Sequence, residues 1–180
     1  MTNPLFYAKI LLFGEYGIIE DSQGLTLPYS FYKGTLKFSE NQSDFEKKSN
    51  ESLSKYAQYL SELNLPEAFK INVEAFKKDI NKGLFFDSNI PQGYGVGSSG
   101  ALVAAIFEKY SFIKYNPEEI SKNQLKDLKK VFGELESYFH GKSSGIDPLI
   151  CYMNLPILIE NKESVDKVSI PKEEAGKGAI

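Results

Sequence analysis

Residues 89–105 read NIPQGYGVGSSGALVAA, one proline and four glycines followed by small and aliphatic residues. Glycines leave backbone N–H groups free to point at an anion, as a phosphate-binding loop requires. The segment after the last glycine predicts a helix over residues 99–109, and a helix N-terminus also favours an anion. Residues 84–90 predict a strand that leads into the loop. The stretch therefore predicts a nucleotide phosphate site.

The rest of the chain predicts an α+β domain. Lys9 is unusual because it interrupts an apolar strand, and burying an unpaired ammonium is unfavourable, so we expect it to have a carboxylate or phosphate partner. The apolar pattern predicts strands over residues 5–13, 18–19, 25–30, 33–38 and 156–160. It predicts helices over residues 52–63, with Ser52 as the N-cap, and over residues 72–81, and a helix or helix pair over residues 117–140 with Pro117 in the first turn. Residues 39–50 predict a solvated loop, and residues 141–145 a turn.

Composition and charge argue against several classes of protein, including nucleic-acid-binding, disulfide-stabilised and membrane proteins. The chain has 180 residues, a formal net charge of −3 and a single cysteine. Mixed charges without a basic stripe argue against nucleic-acid binding. One cysteine excludes an internal disulfide and a cysteine-based zinc cluster. No signal peptide or membrane span is predicted, so we expect a cytoplasmic protein without membrane contact.

Two motifs favour other functions. Gly95–Gly100 matches the dinucleotide pattern G-x-G-x-x-G, and Glu118 follows at the distance of a ribose-binding acid. However, Glu118 lies at a predicted helix start rather than at the end of a second parallel strand. Gly141–Gly145 matches the G-x-S-x-G nucleophile motif, but it follows a helix, and His140, the chain's only histidine, precedes Ser143. Ser143 is therefore interpreted as a turn residue.

Magnesium is the metal that the sequence can accommodate, because Mg²⁺ takes oxygen ligands and keeps several waters. Ser98 or Ser99 at the end of the glycine loop could bind it together with one carboxylate. Glu136 and Asp147 are the candidate acids, and a solvated helix face or a helix cap is the structural alternative for either.

Three ordered motifs carry a resemblance to a known family. Residues 91–101, PQGYGVGSSGA, resemble the second motif of the GHMP kinases, P-x-G-x-G-L-G-S-S-A. Residues 8–16, AKILLFGEY, resemble the first motif, K-x-x-L-x-G-E-H. Residues 136–147, ESYFHGKSSGID, resemble the segment E-x-x-x-H-G-x-P-S-G-x-D of the mevalonate kinases within that family.

The resemblance implies a fold and roles for individual residues. It implies the ribosomal protein S5 domain 2-like fold, with an antiparallel or mixed sheet. It implies that ATP and Mg²⁺ are the cofactors, that Asp147 accepts the proton of the substrate hydroxyl, and that Lys9 lies beside Asp147. The remaining implied roles are ATP binding by Pro91, Gly93, Gly95, Val96, Gly97, Ser98, Ser99 and Gly100, Mg²⁺ binding by Ser99 and Glu136, and substrate contacts by Glu15, Tyr16, His140 and Ser144.

The resemblance also implies an activity, transfer of the ATP γ-phosphate to a small alcohol, with mevalonate as the first choice. Phosphomevalonate, homoserine or a sugar as acceptor, or a non-catalytic nucleotide-binding module, are the alternatives. Nothing after Asp147 resembles the family's third, glycine-rich motif. We therefore expect residues 1–160 to form the N-terminal ATP-binding domain, residues 161–180 to begin the connection to an absent C-terminal domain, and the isolated chain to be inactive. An exposed apolar docking face and association into a homodimer are also expected.

Three of the departures from the family motifs bear on the predicted roles. Tyr16 replaces the usual His at a position that the resemblance assigns to the acceptor site. Ser143 replaces the usual Pro, and Gly100 replaces the usual Ala. Both residue types are compatible with a turn and with a helix start.

Overall fold

The computed structural model describes residues 3–14 and 23–168. The elements in chain order are β1 (Phe6–Phe13), β2 (Gly24–Phe38), α1 (Asp44–Glu62), a 3-10 turn (Glu67–Phe69), α2 (Val73–Ile80), β3 (Leu84–Ser88), α3 (Ser98–Tyr110), α4 (Lys122–His140), α5 (Ile146–Met153), β4 (Ile157–Ile159) and β5 (Val165–Lys167). These elements confirm the predicted α+β class.

The long strand β2 organises the sheet. Its first residues pair with β4 on one side and with β1 on the other, and its last residues pair with β3. Strand β5 extends the sheet beyond β4, and Val165 at its start is fully buried. All pairings among these strands are antiparallel, and the sheet continues past residue 160, where the sequence predicts the domain boundary.

Local sequence explains where the two longest helices begin. In α1, Ser43 and Glu46 form a capping box, in which each side chain accepts a hydrogen bond from the other residue's backbone N–H. Ser121 and Gln124 form the same arrangement at the start of α4. Helix α1 buries one stripe of residues at helical spacing, namely Leu53, Tyr56, Ala57 and Leu60.

Helix α3 is the central helix of the domain. It is apolar on most of its surface, as expected for a helix that is covered on several sides. Phe107 near its C-terminal end is fully buried and packs edge-to-face against Phe132 of α4 and Tyr152 of α5. Helix α3 therefore packs against α4 and α5, and it also contacts β1.

Several predicted boundaries are wrong. Residues 44–50 belong to α1, whose N-cap is Ser43 rather than Ser52. Two predicted short strands form the single strand β2, in which Ser30, Phe31 and Tyr32 have no partner in the register with β1. Pro117 precedes the helix that begins at Lys122, and the helix α5 was not predicted.

The remaining element predictions can be checked in part. The predicted helix over residues 72–81 and the strand over residues 156–160 are confirmed within one or two residues. The predicted strand over residues 18–19 lies outside the described residues. Within residues 3–14 and 23–168, no helix is both long and apolar enough to cross a membrane.

Candidate functional site

The glycine loop connects β3 to α3 through a series of left-handed turns. Gly93, Gly95 and Gly97 have φ values of 81°, 68° and 84°. A Cβ atom added at Gly93 or Gly95 would meet no heavy atom within 4 Å, so these residues face open space. The backbone N–H of Lys9 donates to the carbonyl of Val96 at 3.0 Å, which ties the loop to β1. The loop therefore presents its backbone next to the N-terminus of α3, which begins at Ser98.

A cavity of about 850 Å³ opens along this loop. Its volume is in the range of small-molecule and cofactor sites. The predicted residues Pro91, Gly93, Gly95, Val96, Gly97, Ser98, Ser99, His140 and Asp147 line it, and so do Phe45, Lys48, Ser49, Ser52, Leu53, Phe86, Ser88, Ile90, Gln92, Leu102 and Phe139. One wall is therefore the glycine loop, and the opposite wall comes from α1.

Lys9 and Asp147 form an ion pair beside the cavity. The Nζ atom of Lys9 lies 3.0 Å from Oδ1 of Asp147, and their side chains are 12% and 29% exposed. Lys9 comes from β1, whereas Asp147 lies in the first turn of α5. The sequence prediction that Lys9 has a carboxylate or phosphate partner is confirmed by this contact.

Glu136 is a carboxylate enclosed by hydroxyl groups. It is only 3% exposed, its Oε1 accepts a hydrogen bond from Ser99 Oγ at 2.9 Å, and its Oε2 accepts one from Ser143 Oγ. Burial raises the pKa of Glu136, and the nearby charge of Asp147 adds to this, while the hydroxyls of Ser143 and Ser99 act in the opposite direction. The Nε2 atom of His140 lies 3.0 Å from Ser99 Oγ.

The first turns of α3 and α5 are in close contact. A Cβ atom added at Gly100 would stand 2.7 Å from the carbonyl carbon of Asp147, so glycine permits this approach. Beneath the contact, Cys151 is buried with its Sγ atom 3.7 Å from the carbonyl oxygen of Gly97. Burial raises the pKa of the Cys151 thiol well above its usual value, which suits a packing role rather than a reactive one.

The donor set fits a magnesium ion that shares its coordination with a phosphate. Among the described residues, no group of three or more His, Cys, Asp or Glu side chains is placed to hold a metal. Mg²⁺ is commonly bound by one or two carboxylates together with substrate phosphates and waters, so a full protein cage is not required. The Ser99 hydroxyl and the Glu136 carboxylate provide adjacent oxygens of the preferred type.

The structure does not place every predicted residue at the cavity. Lys9, Gly100 and Glu136 do not line it, although Lys9 contacts Asp147 and Glu136 contacts Ser99. Ser144 lies in the turn before α5, where its Oγ atom accepts a 3.4 Å hydrogen bond from the N–H of Ile146. Glu15 and Tyr16 lie outside the described residues. The α1 wall, including Phe45 and Lys48, was not predicted. The S-x-x-E capping pattern at residues 43–46 is the sequence signal that could have placed a helix there.

Comparisons with known proteins found a matching family model and curated relatives. Residues 53–154 match the family model described as the GHMP kinases N terminal domain. A curated mevalonate kinase from Thermococcus sibiricus is 28% identical over 169 residues, covering 79% of this chain and 46% of that protein. The mevalonate kinase of Pyrococcus furiosus is 32% identical over 167 residues, covering 79% of this chain and 47% of that protein. This chain thus spans about half the length of the curated relatives it matches.

Solved structures show the same fold. The crystal structure of Methanococcus jannaschii mevalonate kinase has a TM-score of 0.57 at 15% identity, over 93% of this chain and 56% of that one. A crystal structure of L. major mevalonate kinase in complex with R-mevalonate has a TM-score of 0.54 at 14% identity, over 94% of this chain and 52% of that one.

Proposed function

The chain belongs to the GHMP kinase family, and we propose that it forms the ATP-binding half of a kinase that phosphorylates a small alcohol of the mevalonate type. The observation that carries the proposal is that Ser99 and Asp147 line the cavity beside the glycine loop, while Lys9 forms an ion pair with Asp147. These residues come from three elements that are far apart in sequence. A common location for a cation, an acid and a phosphate loop is what phosphoryl transfer to a hydroxyl requires.

The glycine loop is the proposed phosphate site. Gly93 and Gly95 leave open space where phosphate oxygens can approach the backbone. The first turn of α3, at Ser98, Ser99 and Gly100, adds free backbone N–H groups and the positive end of the helix dipole. Pro91, Val96 and Gly97 complete the predicted set. Val96 also anchors the loop to β1.

Ser99 and Glu136 are the proposed magnesium ligands. Bound Mg²⁺ supplies positive charge that offsets the negative charge of the transferring phosphate. Glu136 accepts hydrogen bonds from two hydroxyl donors, and no lysine among the described residues forms an ion pair with it, so its charge is available for this ion.

Asp147 is the proposed proton acceptor. It takes the proton of the acceptor hydroxyl as the hydroxyl oxygen forms its bond to the γ-phosphorus and ADP leaves. The ion pair holds the Lys9 ammonium beside Asp147, where its positive charge offsets the negative charge that develops on the attacking oxygen. His140 lines the cavity, and we propose that it and Ser144 contact the acceptor, with Glu15 and Tyr16 as further candidates.

Mevalonate is the proposed acceptor, since both curated relatives are mevalonate kinases. The absence of arginine also counts against a phosphorylated acceptor, because arginine is the usual bidentate partner of phosphate. Phosphomevalonate, homoserine or a sugar remains the alternative within the family.

A second candidate function is a nucleotide-binding module without turnover. It is a candidate because the chain spans about half the length of the curated relatives it matches, so it is similar to only part of proteins that are named as kinases. Large apolar side chains at the ends of β1 and β2 are exposed, including Leu12 at 55%, Phe13 at 52% and Phe31 at 70%. We propose that this surface contacts the other half of a longer protein. A homodimer would cover the same surface.

A coupled assay that follows ADP formation tests the proposal on the full-length product of the gene that encodes this chain. We expect turnover with ATP and mevalonate, and Asp147→Asn should lower kcat by about 10²- to 10⁴-fold, the usual contribution of a general base. Turnover of galactose or phosphomevalonate but not mevalonate would contradict the proposed acceptor. Robust activity in Asp147→Asn would contradict the proposed role of that residue, and ATP binding without turnover of any acceptor would favour the binding module.

A further inference from the structure

Ser143 stands where the matching family motif has a proline, and its hydroxyl makes a contact that proline cannot make. It lies in the turn between α4 and α5, seven residues after Glu136, and its Oγ atom donates to Glu136 Oε2. A proline side chain has no donor, so it would leave this carboxylate oxygen without the bond.

The hydrogen bonds around Ser143 have a fixed direction. The backbone N–H of Gly145 donates to Ser143 Oγ at 3.0 Å. Because that bond occupies a lone pair, the Ser143 hydroxyl proton is free to point at Glu136. The second carboxylate oxygen accepts from Ser99 Oγ at 2.9 Å. Two hydroxyls from different elements therefore hold the plane of the Glu136 carboxylate.

A neutral donor is well suited to this position. A lysine or arginine would also fix the carboxylate, but its positive charge would cancel the charge that attracts a metal cation. A hydroxyl orients the carboxylate and leaves its full negative charge in place. Groups that orient metal ligands in this way commonly change metal affinity by about 10- to 100-fold when they are removed.

We propose that Ser143 is a positioning residue that holds the Glu136 carboxylate in the orientation for binding the magnesium ion of the nucleotide complex. The inference rests on the proposed function, since it needs Glu136 and Ser99 to hold that ion. It assigns to Ser143 a role in this chain that the proline of the family motif cannot have.

The test measures how strongly Mg²⁺ improves the binding of a fluorescent, non-hydrolysable ATP analogue to the chain. The dissociation constant is determined with and without Mg²⁺. The value without Mg²⁺ divided by the value with Mg²⁺ reports the metal's contribution to binding. Ser143→Ala should lower this ratio by about tenfold, leave metal-free binding unchanged, and be rescued by Ser143→Thr, which restores a hydroxyl. Ser143→Pro should give the same loss as Ser143→Ala.

Ser137→Ala is the matched control. Ser137 follows Glu136 on the same helix, but its hydroxyl donates to the carbonyl of Gly133 at 2.6 Å, so its removal should leave the ratio unchanged. A wild-type ratio in Ser143→Ala, or an equal loss of affinity with and without Mg²⁺, would overturn the positioning role. Failure of the wild-type chain to bind the analogue at all would overturn the proposed function itself, which is a different result.

Discussion

Gly95 in the glycine loop at residues 92–97 and Gly145 in the turn at residues 141–145 both have positive φ, but they differ in what surrounds them. A Cβ atom at Gly95 would meet nothing within 4 Å. At Gly145 it would stand 1.9 Å from the carbonyl oxygen of Lys129 in α4. We call the surroundings of Gly93 and Gly95 the open region, and the enclosed surroundings of Gly145 between α4 and α5 the filled region. Gly97 in the loop and Gly141 in the turn do not follow this division, because a Cβ atom would be crowded at Gly97 and would meet nothing at Gly141.

The difference separates two reasons for glycine at a functional site. At Gly145 the fold requires it, because α4 and α5 approach closely enough to hold Glu136 and Asp147 in their places. At Gly95 the fold requires only the backbone conformation, and the open space remains for a ligand. Both substitutions to alanine carry the same left-handed backbone penalty, so a comparison of the two isolates the surroundings.

The largest effect is expected for Gly145→Ala. The backbone penalty of about 1–2 kcal/mol adds to an overpacking penalty of about 1–3 kcal/mol, because the opposing atom is backbone and cannot rotate away. The free energy of unfolding in urea should therefore fall by about 2–5 kcal/mol. A loss no larger than that of Gly95→Ala would show that the turn is not filled as described.

Gly95→Ala should act mainly on ligand binding. Its stability should fall by only about 1–2 kcal/mol. The added methyl group projects into the cavity, so affinity for an ATP analogue should fall at least tenfold, about 1.4 kcal/mol. Calorimetric titration at a temperature where both proteins are folded measures this. Wild-type affinity would mean that the phosphates lie elsewhere.

Glu136→Gln tests whether the buried carboxylate of Glu136, near the α4–α5 turn, destabilises the fold when it is ionised. Burial raises the pKa of Glu136 above its usual value of 4.5, so the folded chain holds the proton more tightly than the unfolded chain. Ionised Glu136 is then destabilising near neutral pH, and this penalty fades as the pH falls through the folded pKa. The variant should have a higher Tm than wild type near neutral pH, by about 2–4 °C per kcal/mol.

The gain in Tm for Glu136→Gln should shrink as the solution is acidified. The same variant should bind the ATP analogue without any dependence on Mg²⁺, because it lacks a proposed metal ligand. A lower Tm at neutral pH, or a gain that does not change with pH, would contradict a buried carboxylate with a raised pKa.

The smallest effect is expected at the α1 wall of the cavity. Lys48 is exposed and lines the cavity opposite the glycine loop. Lys48→Ala should weaken binding of an ATP analogue by about two- to fivefold, as expected for an exposed charge interaction, and less at high salt. Lys55→Ala on the same helix is the control, because Lys55 is exposed but does not line the cavity. Equal effects would show that only net charge matters.

The sequence predicts the open region better than the filled one. The glycine spacing and the small residues after it indicate a loop before a helix, because both features are local. An ammonium in an apolar strand requires a partner, so the pairing of Lys9 was expected from elementary electrostatics. Its identity as Asp147 came from the family resemblance.

The contacts in the filled region and the position of the α1 wall depend on packing between distant parts of the chain. A local sequence pattern does not predict such packing. The role of Ser143 needs the turn to bring its hydroxyl back to Glu136, and its residue type alone indicates only a turn. Helix α1 begins among polar residues, which is why its first half was predicted as a loop although Ser43 and Glu46 form a capping box. Helix α5 has eight residues, too few for a clear apolar period.

The central claim is that the glycine loop, Lys9 and Asp147 form one phosphoryl-transfer site. A crystal structure of the chain with Mg²⁺ and a non-hydrolysable ATP analogue tests it most directly. The account predicts phosphates against the backbone of residues 93–99, with the terminal phosphate on the side of Asp147. A nucleotide bound in the smaller cavity of about 280 Å³ between α1 and α2, or one whose terminal phosphate points away from Asp147, would contradict it.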